Sequence, residues 1–249
     1  MSLLESAASF SSLIAPVIDR TAISVHNVMD KGRVAALRGE NRFHPGVLAL
    51  FAGTLVSGGM SRDEYDELTK YQHFGSNADF LSGLEERGAV LLANGHVQPT
   101  PATIQVAEEL VRIQAEAVAA LFEPRRELLP EIWALISRAR EAAISDASSP
   151  LSKLMGRAWL PADASDAARI WDASVVLRMH RADAHAAAWR EAGLTAAEIR
   201  TMDPSPTREA IESRTNERAA LAWEGLNANE RVTLLSGLAA LPGTGAPVP

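Results

Sequence analysis

Residues 166–191, DAARIWDASVVLRMHRADAHAAAWRE, constrain the fold more than any other stretch. They hold no Pro or Gly and are rich in Ala, Val and Arg, so they predict one long unbroken helix. Apolar residues occur on almost every side of it, which places the helix at the centre of its domain. Helical phase puts Trp171, Val175, Arg178, Ala182, His185 and Trp189 on one stripe about 80° wide. His180 and Asp183 are three apart and share a different face.

An arginine and a histidine on a buried stripe need partners. They fit a pocket in which Arg178 binds an anionic or carbonyl oxygen and His185 gives or takes a proton. Trp171, Val175, Arg181 and Trp189 complete the ligand-binding set. They equally fit a core in which the arginine pairs with a carboxylate and the histidine packs on tryptophan. A metal at His180 and Asp183 would need a third ligand from His26, His44 or His73, and no HExxH-like pattern accompanies them. The sequence therefore implies neither a metal nor another cofactor, and this second pair is expected to hold the helix in place.

Residues 1–40 read as a helical arm, interrupted at Pro16, with a second helix over roughly 22–37. A turn follows at 39–45, and Pro45 opens the next helix. Over 41–105 the order is helix, helix, turn, helix, hairpin, helix. Ser61 and Glu64 form a capping box, Gly88 stops the third helix, and Asn94-Gly95 marks the hairpin. That order, and LEERGAVLLANGHVQPTPATIQVAEEL in particular, resembles the MarR-like winged helix-turn-helix. The fold class expected is mainly α, a winged helix with a long-helix C-terminal half. Residues 106–145 read as connecting or dimerisation helices, 146–165 as a loop, 166–241 as a helical domain and 242–249 as a disordered tail.

DNA binding is poorly served. Across 61–86, Arg62 and Lys70 face seven acids: Asp63, Glu64, Asp66, Glu67, Asp79, Glu85 and Glu86. The net charge of −7 points the same way. Ser76, Asn77, Ser82, Arg87 and His96 are the side chains available to DNA, a sparse set beside what base readout needs. The absence of cysteine excludes disulfides and thiolate catalysis and suits a cytoplasmic location. No nucleophile elbow, dinucleotide fingerprint or phosphate loop is present, and no run is apolar enough to span a membrane.

The central helix also carries a likeness. Trp171, Ala173, Leu177, Arg178, His180, Arg181, Asp183 and His185 match, in order, a motif Trp-x-Ala-x-x-x-Leu-Arg-x-His-Arg-Gly-Asp-Gly-His. This resembles the SalK-like tandem winged-helix proteins of actinobacterial natural-product clusters. Ala182 and Ala184 replace its glycines, and Asn216 stands where an Asp is usual. The resemblance implies a second winged-helix-like half, although residues 202–208 leave room only for a Pro-rich turn. Two functions follow as expectations. One is a homodimeric, regulator-like protein binding a small anionic or carbonyl-bearing ligand. The other is a small-molecule enzyme with His185 as acid or base and Arg178 as oxyanion or carboxylate binder.

Overall fold

The computed structural model describes residues 6–41, 52–70 and 77–243. The chain is mainly helical with one small antiparallel sheet. Residues 39–41 continue the second helix instead of opening the expected turn at 39–45. The rest of that turn, the helix start at Pro45, His44, His73, Ser76 and the tail from 244 lie outside the described residues.

Helix α1 spans Ala7–Val28, with Ser6 accepting from the Ser9 amide at its start. It runs straight through Pro16, contrary to the expected interruption. Proline removes the amide that would bond to the Ser12 carbonyl. Ser12 and Pro16 are both exposed, so water can solvate that carbonyl. The break comes instead at Met29–Asp30. There Asp30 Oδ1 accepts from the amides of Gly32 and Arg33 and starts α2, Lys31–Asn41.

Residues 52–56 are helical and lead through Gly58 and Gly59 into β1, Met60–Ser61. Next come α3 (Arg62–Thr69) and α4 (Asn77–Glu86), and then β2 (Val90–Ala93) and β3 (His96–Pro99). The capping box of α3 is complete, with Ser61 and Glu64 each accepting from the other's amide. Asn94 and Gly95 both adopt positive φ, 52° and 73°, as a two-residue hairpin turn of the I′ kind requires. The strand order is β1-β3-β2, with Met60 and Leu92 flanking Val97.

Helix α5 (Pro101–Phe122) leaves the sheet, and a 3₁₀ turn at Glu123–Leu128 leads into α6, Leu129–Ser145. The segment 146–165 is not loop throughout, because α7 occupies Pro150–Gly156. Its proline stands at a first helical position, where no amide is required. The central helix α8 runs Asp166–Glu191, capped by Ser165. Short α9 (Ala196–Thr201), α10 (Pro206–Ala219), a 3₁₀ turn and α11 (Ala228–Ala240) complete the chain. Between α9 and α10 the described residues form a turn and no strand.

Helix α8 packs against α1, α5, α6, α7 and α10. Ile170, Ala173, Val176 and Leu177 are buried along it, and each large one contributes about 1.5–3 kcal/mol by leaving water. Phe10 and Trp223 meet edge-to-face at 5.4 Å and tie α1 to the C-terminal region.

Gly59 is fixed by two constraints. Its φ is +87°, and a Cβ there would stand 2.2 Å from the Val97 carbonyl oxygen on β3. Gly59→Ala is expected to lower unfolding stability by roughly 3 kcal/mol in urea titration. An unchanged midpoint would show that β1 does not need this close approach.

Candidate functional site

A mainly apolar cavity of about 80 Å³ lies against the N-terminal half of α8. Among the described residues its walls come from five places. They are Ala22, Ile23 and His26 of α1; residues 52–54 and Leu68 beside the sheet; Val111 and Gln114 of α5; Met155 of α7 with residues 158–160; and Trp171, Asp172, Val175, Arg178 and Met179 of α8. The cavity therefore lies between the sheet-bearing region and the helical body.

Each wall is held by a specific contact. Trp171 Nε1 donates to the Ala22 carbonyl at 3.0 Å, which fixes the ring against α1. The Trp159 amide donates to the Gly53 carbonyl at 3.0 Å, and Ser57 Oγ donates to the Arg157 carbonyl at 2.6 Å. Arg157 also pairs with Glu64 at 2.8 Å. Gly53 permits this approach, since a Cβ there would come within 2.9 Å of the Ala158 Cβ. The Arg112 guanidinium sits 5.4 Å from the centre of the Trp159 ring.

Two charged groups reach the cavity, and both have counter-ions. Asp172 is 8% exposed, and its Oδ2 accepts from Arg140 Nε at 3.1 Å. Burial pushes its carboxyl up to about 6, and Arg140 offsets only part of that. Arg178 is exposed at the mouth and pairs with Asp19 at 3.0 Å. His26 is also exposed at the mouth. Desolvation by the surrounding walls, and then the Arg178 charge, hold its imidazole below the usual value.

The expected stripe is thus divided. Trp171, Val175 and Arg178 border the cavity, whereas Arg181, His185 and Trp189 are not among its lining residues. Arg178 and His185 share a helical phase but stand about 10 Å apart along the axis. His185 Nε2 lies 3.6 Å from Glu212 Oε1. Arg181 donates to Glu212 at 3.1 Å and to Asn216 Oδ1 at 2.7 Å. Burial lowers the His185 pKa, and Glu212 works against that. Trp189 belongs to a separate apolar cluster with Ile199 and Ile211. The expected pairing of His185 with Arg178 in one pocket is therefore not formed, and an acid–base role for His185 beside Arg178 loses its geometry.

His180 and Asp183 do hold neighbouring elements. His180 Nε2 lies 3.1 Å from Asp146 Oδ2, and Asp146 in turn accepts from Ser148. Asp183 Oδ2 accepts from the amides of Leu151 and Ser152, at 2.9 and 3.4 Å, at the start of α7. Its Oδ1 is buried without a hydrogen-bond partner. Near Asp183, Lys70 pairs with Glu67, which also receives Arg190 at 2.8 Å. Among the described residues no group of three His, Asp or Glu could hold a metal ion.

For DNA, Ser82, Arg87 and His96 are exposed, and the Asn77 side chain lies outside the described residues. The Arg87 guanidinium folds back beside Gly83. Arg62 is paired with Asp66 at 3.1 Å. The ligand-binding set expected from the sequence left out Asp172, Trp159, His26 and Gln114. Asp172 and Trp159 carried a readable signal, an acid on an otherwise apolar helix and a tryptophan inside a segment of turn residues. No family model, curated protein or solved structure matches the chain.

Asp183 yields a pH prediction. Burial raises its carboxyl to about 7 from 3.8. Between those values the unfolded chain ionises while the folded chain keeps the proton, so stability falls as pH rises across the window. Asp172 contributes in the same direction up to about pH 6. Asp183→Asn keeps an acceptor for the Leu151 amide and has no charge to desolvate. It is expected to flatten the pH dependence and to exceed the wild type by about 1–2 kcal/mol at pH 8 in urea unfolding. A variant less stable at pH 8 than at pH 5, relative to wild type, would contradict this.

Proposed function

We propose that the chain is a winged-helix protein whose function is to bind a small molecule in the cavity beside Trp171. The observation that carries this reading is the composition of the cavity walls. They combine two tryptophans, aliphatic side chains and a few placed polar groups, as small-molecule sites do. The walls come from both the sheet-bearing region and α8, so a bound molecule would contact both and bias how they pack.

The winged-helix reading is supported by the order of helix 52–56, β1, α3, α4, β2 and β3, and by the β1-β3-β2 pairing. The resemblance of the α8 motif to that of SalK-like proteins is consistent with it. Fold likeness does not bring DNA binding with it. Three of the cations around α3 and α4 are paired internally, Arg62 with Asp66, Lys70 with Glu67 and Arg157 with Glu64, which leaves Arg87 at the end of α4. Phosphate contact through those three would first have to break these pairs. We therefore read the ligand site, rather than a DNA face, as the functional feature of a single chain.

Two measurements test this. Val175→Phe should fill the cavity, raise Tm by about 2–4 °C and abolish the thermal response to any small molecule that stabilises the wild type. Retention of that response would place the ligand elsewhere. In low-salt gel shifts with a pool of random duplexes the protein should cause no retardation. Salt-sensitive retardation would return α4 to the role of a DNA reader.

A further inference from the structure

We infer that the cavity ligand is a small neutral molecule with a branched apolar body and one O–H or N–H group donated to Asp172. This rests on the cavity being a ligand site, and it replaces the anionic or carbonyl-bearing class that the sequence suggests with a neutral donor.

Volume comes first. At about 80 Å³ the cavity has roughly half the volume of an engineered cavity, ~150 Å³, that encloses benzene. It accommodates a handful of heavy atoms. Val175, Met155, Leu160 and the two indoles present an apolar surface to them.

Charge comes second. Asp172 is already paired with Arg140, and Arg178 with Asp19. Among the described residues the ions at this apolar space are already matched, so a ligand with a net charge of either sign would be desolvated there without a counter-ion from them. A carboxylate could engage Arg178 only by competing with Asp19 at the exposed mouth, where water screens the gain.

Hydrogen bonding comes third. Asp172 Oδ2 is occupied by Arg140, while Oδ1 accepts from no described residue and is not among the sealed, unpartnered atoms. It is an open acceptor on an anionic residue that is itself nine-tenths buried and lines the cavity. A neutral donor meets it without adding charge, and a hydrogen bond to an ionised acceptor is about twice as strong as a neutral one.

The test uses the full chain at pH 7.5 and ligand-observed NMR titration with isobutanol, isobutyrate and isobutylammonium. Isobutanol is expected to bind at least tenfold more tightly than either ion. Asp172→Asn can keep the Arg140 contact through its carbonyl and turn its amide, a donor, toward the ligand. That variant should weaken isobutanol at least tenfold while its circular dichroism remains native.

A second arm needs no variant. Among the described residues, the charged and titratable groups on the elements around Asp172 are Arg140 and Glu141 on α6, Arg112 on α5, His26 and Asp19 on α1, and Arg169 and Arg178 on α8. Wild-type affinity for isobutanol should fall several-fold from pH 7.5 to pH 5 as the Asp172 carboxylate is protonated. His26 can also gain charge as pH falls, so Asp172→Asn, which retains His26, should lose that pH dependence. Isobutyrate binding as tightly as isobutanol, or an affinity indifferent to both Asp172→Asn and pH, overturns the neutral-donor class and leaves the cavity as a site. Binding of none of the three probes overturns the site itself, and this inference with it.

Discussion

A helix buried on nearly every side must find a partner for each polar group it carries inward. That constraint organises this protein. Helix α8 spends its polar residues one neighbour at a time. Trp171 and Arg178 reach α1, Asp172 reaches α6, His180 reaches the Asp146 turn and Asp183 reaches the start of α7. Arg181 reaches α10, and Arg190 reaches α3. The apolar residues between them supply the burial, and these directed contacts fix which helix lies against which side. The scheme is incomplete at two carboxylate oxygens: Asp183 Oδ1 is sealed without a partner, and Asp172 Oδ1, on a residue that lines the cavity, is capped by no described residue.

The same constraint explains what could be read from the sequence. Terminal and turn chemistry is local, so Ser61 and Glu64 announced α3, and Asn94-Gly95 announced the hairpin. Composition alone made α8 central. The helix inside 146–165 was hidden because its start is stabilised by a distant acid, Asp183, rather than by a cap of its own. Pro16 misled for a related reason. The residue whose carbonyl loses its partner, Ser12, is exposed, so water can replace the missing amide.

The candidate site was half legible. Helical phase gives the direction in which a side chain leaves the axis but not which neighbour stands there. Over 26 residues, about 39 Å, α8 passes α1 and α7 at one end and α9 and α10 at the other. Residues of one phase therefore enter two environments. Trp171, Val175 and Arg178 meet the cavity, and His185 and Trp189 meet Glu212 and the Ile199–Ile211 cluster. Gly53, Gln114 and His26 come from elements far apart in the chain, and no local pattern joins them to α8.

The account depends on the space between Trp159, Trp171 and Val175 being a real, largely apolar cavity rather than a core that closes in solution. A crystal pressurised with xenon tests this directly, since xenon enters empty apolar cavities and is readily seen. The account predicts an ordered xenon atom against the Trp171 ring and Val175. A crystal with no xenon there, and with the two indoles in contact across the space, would contradict it.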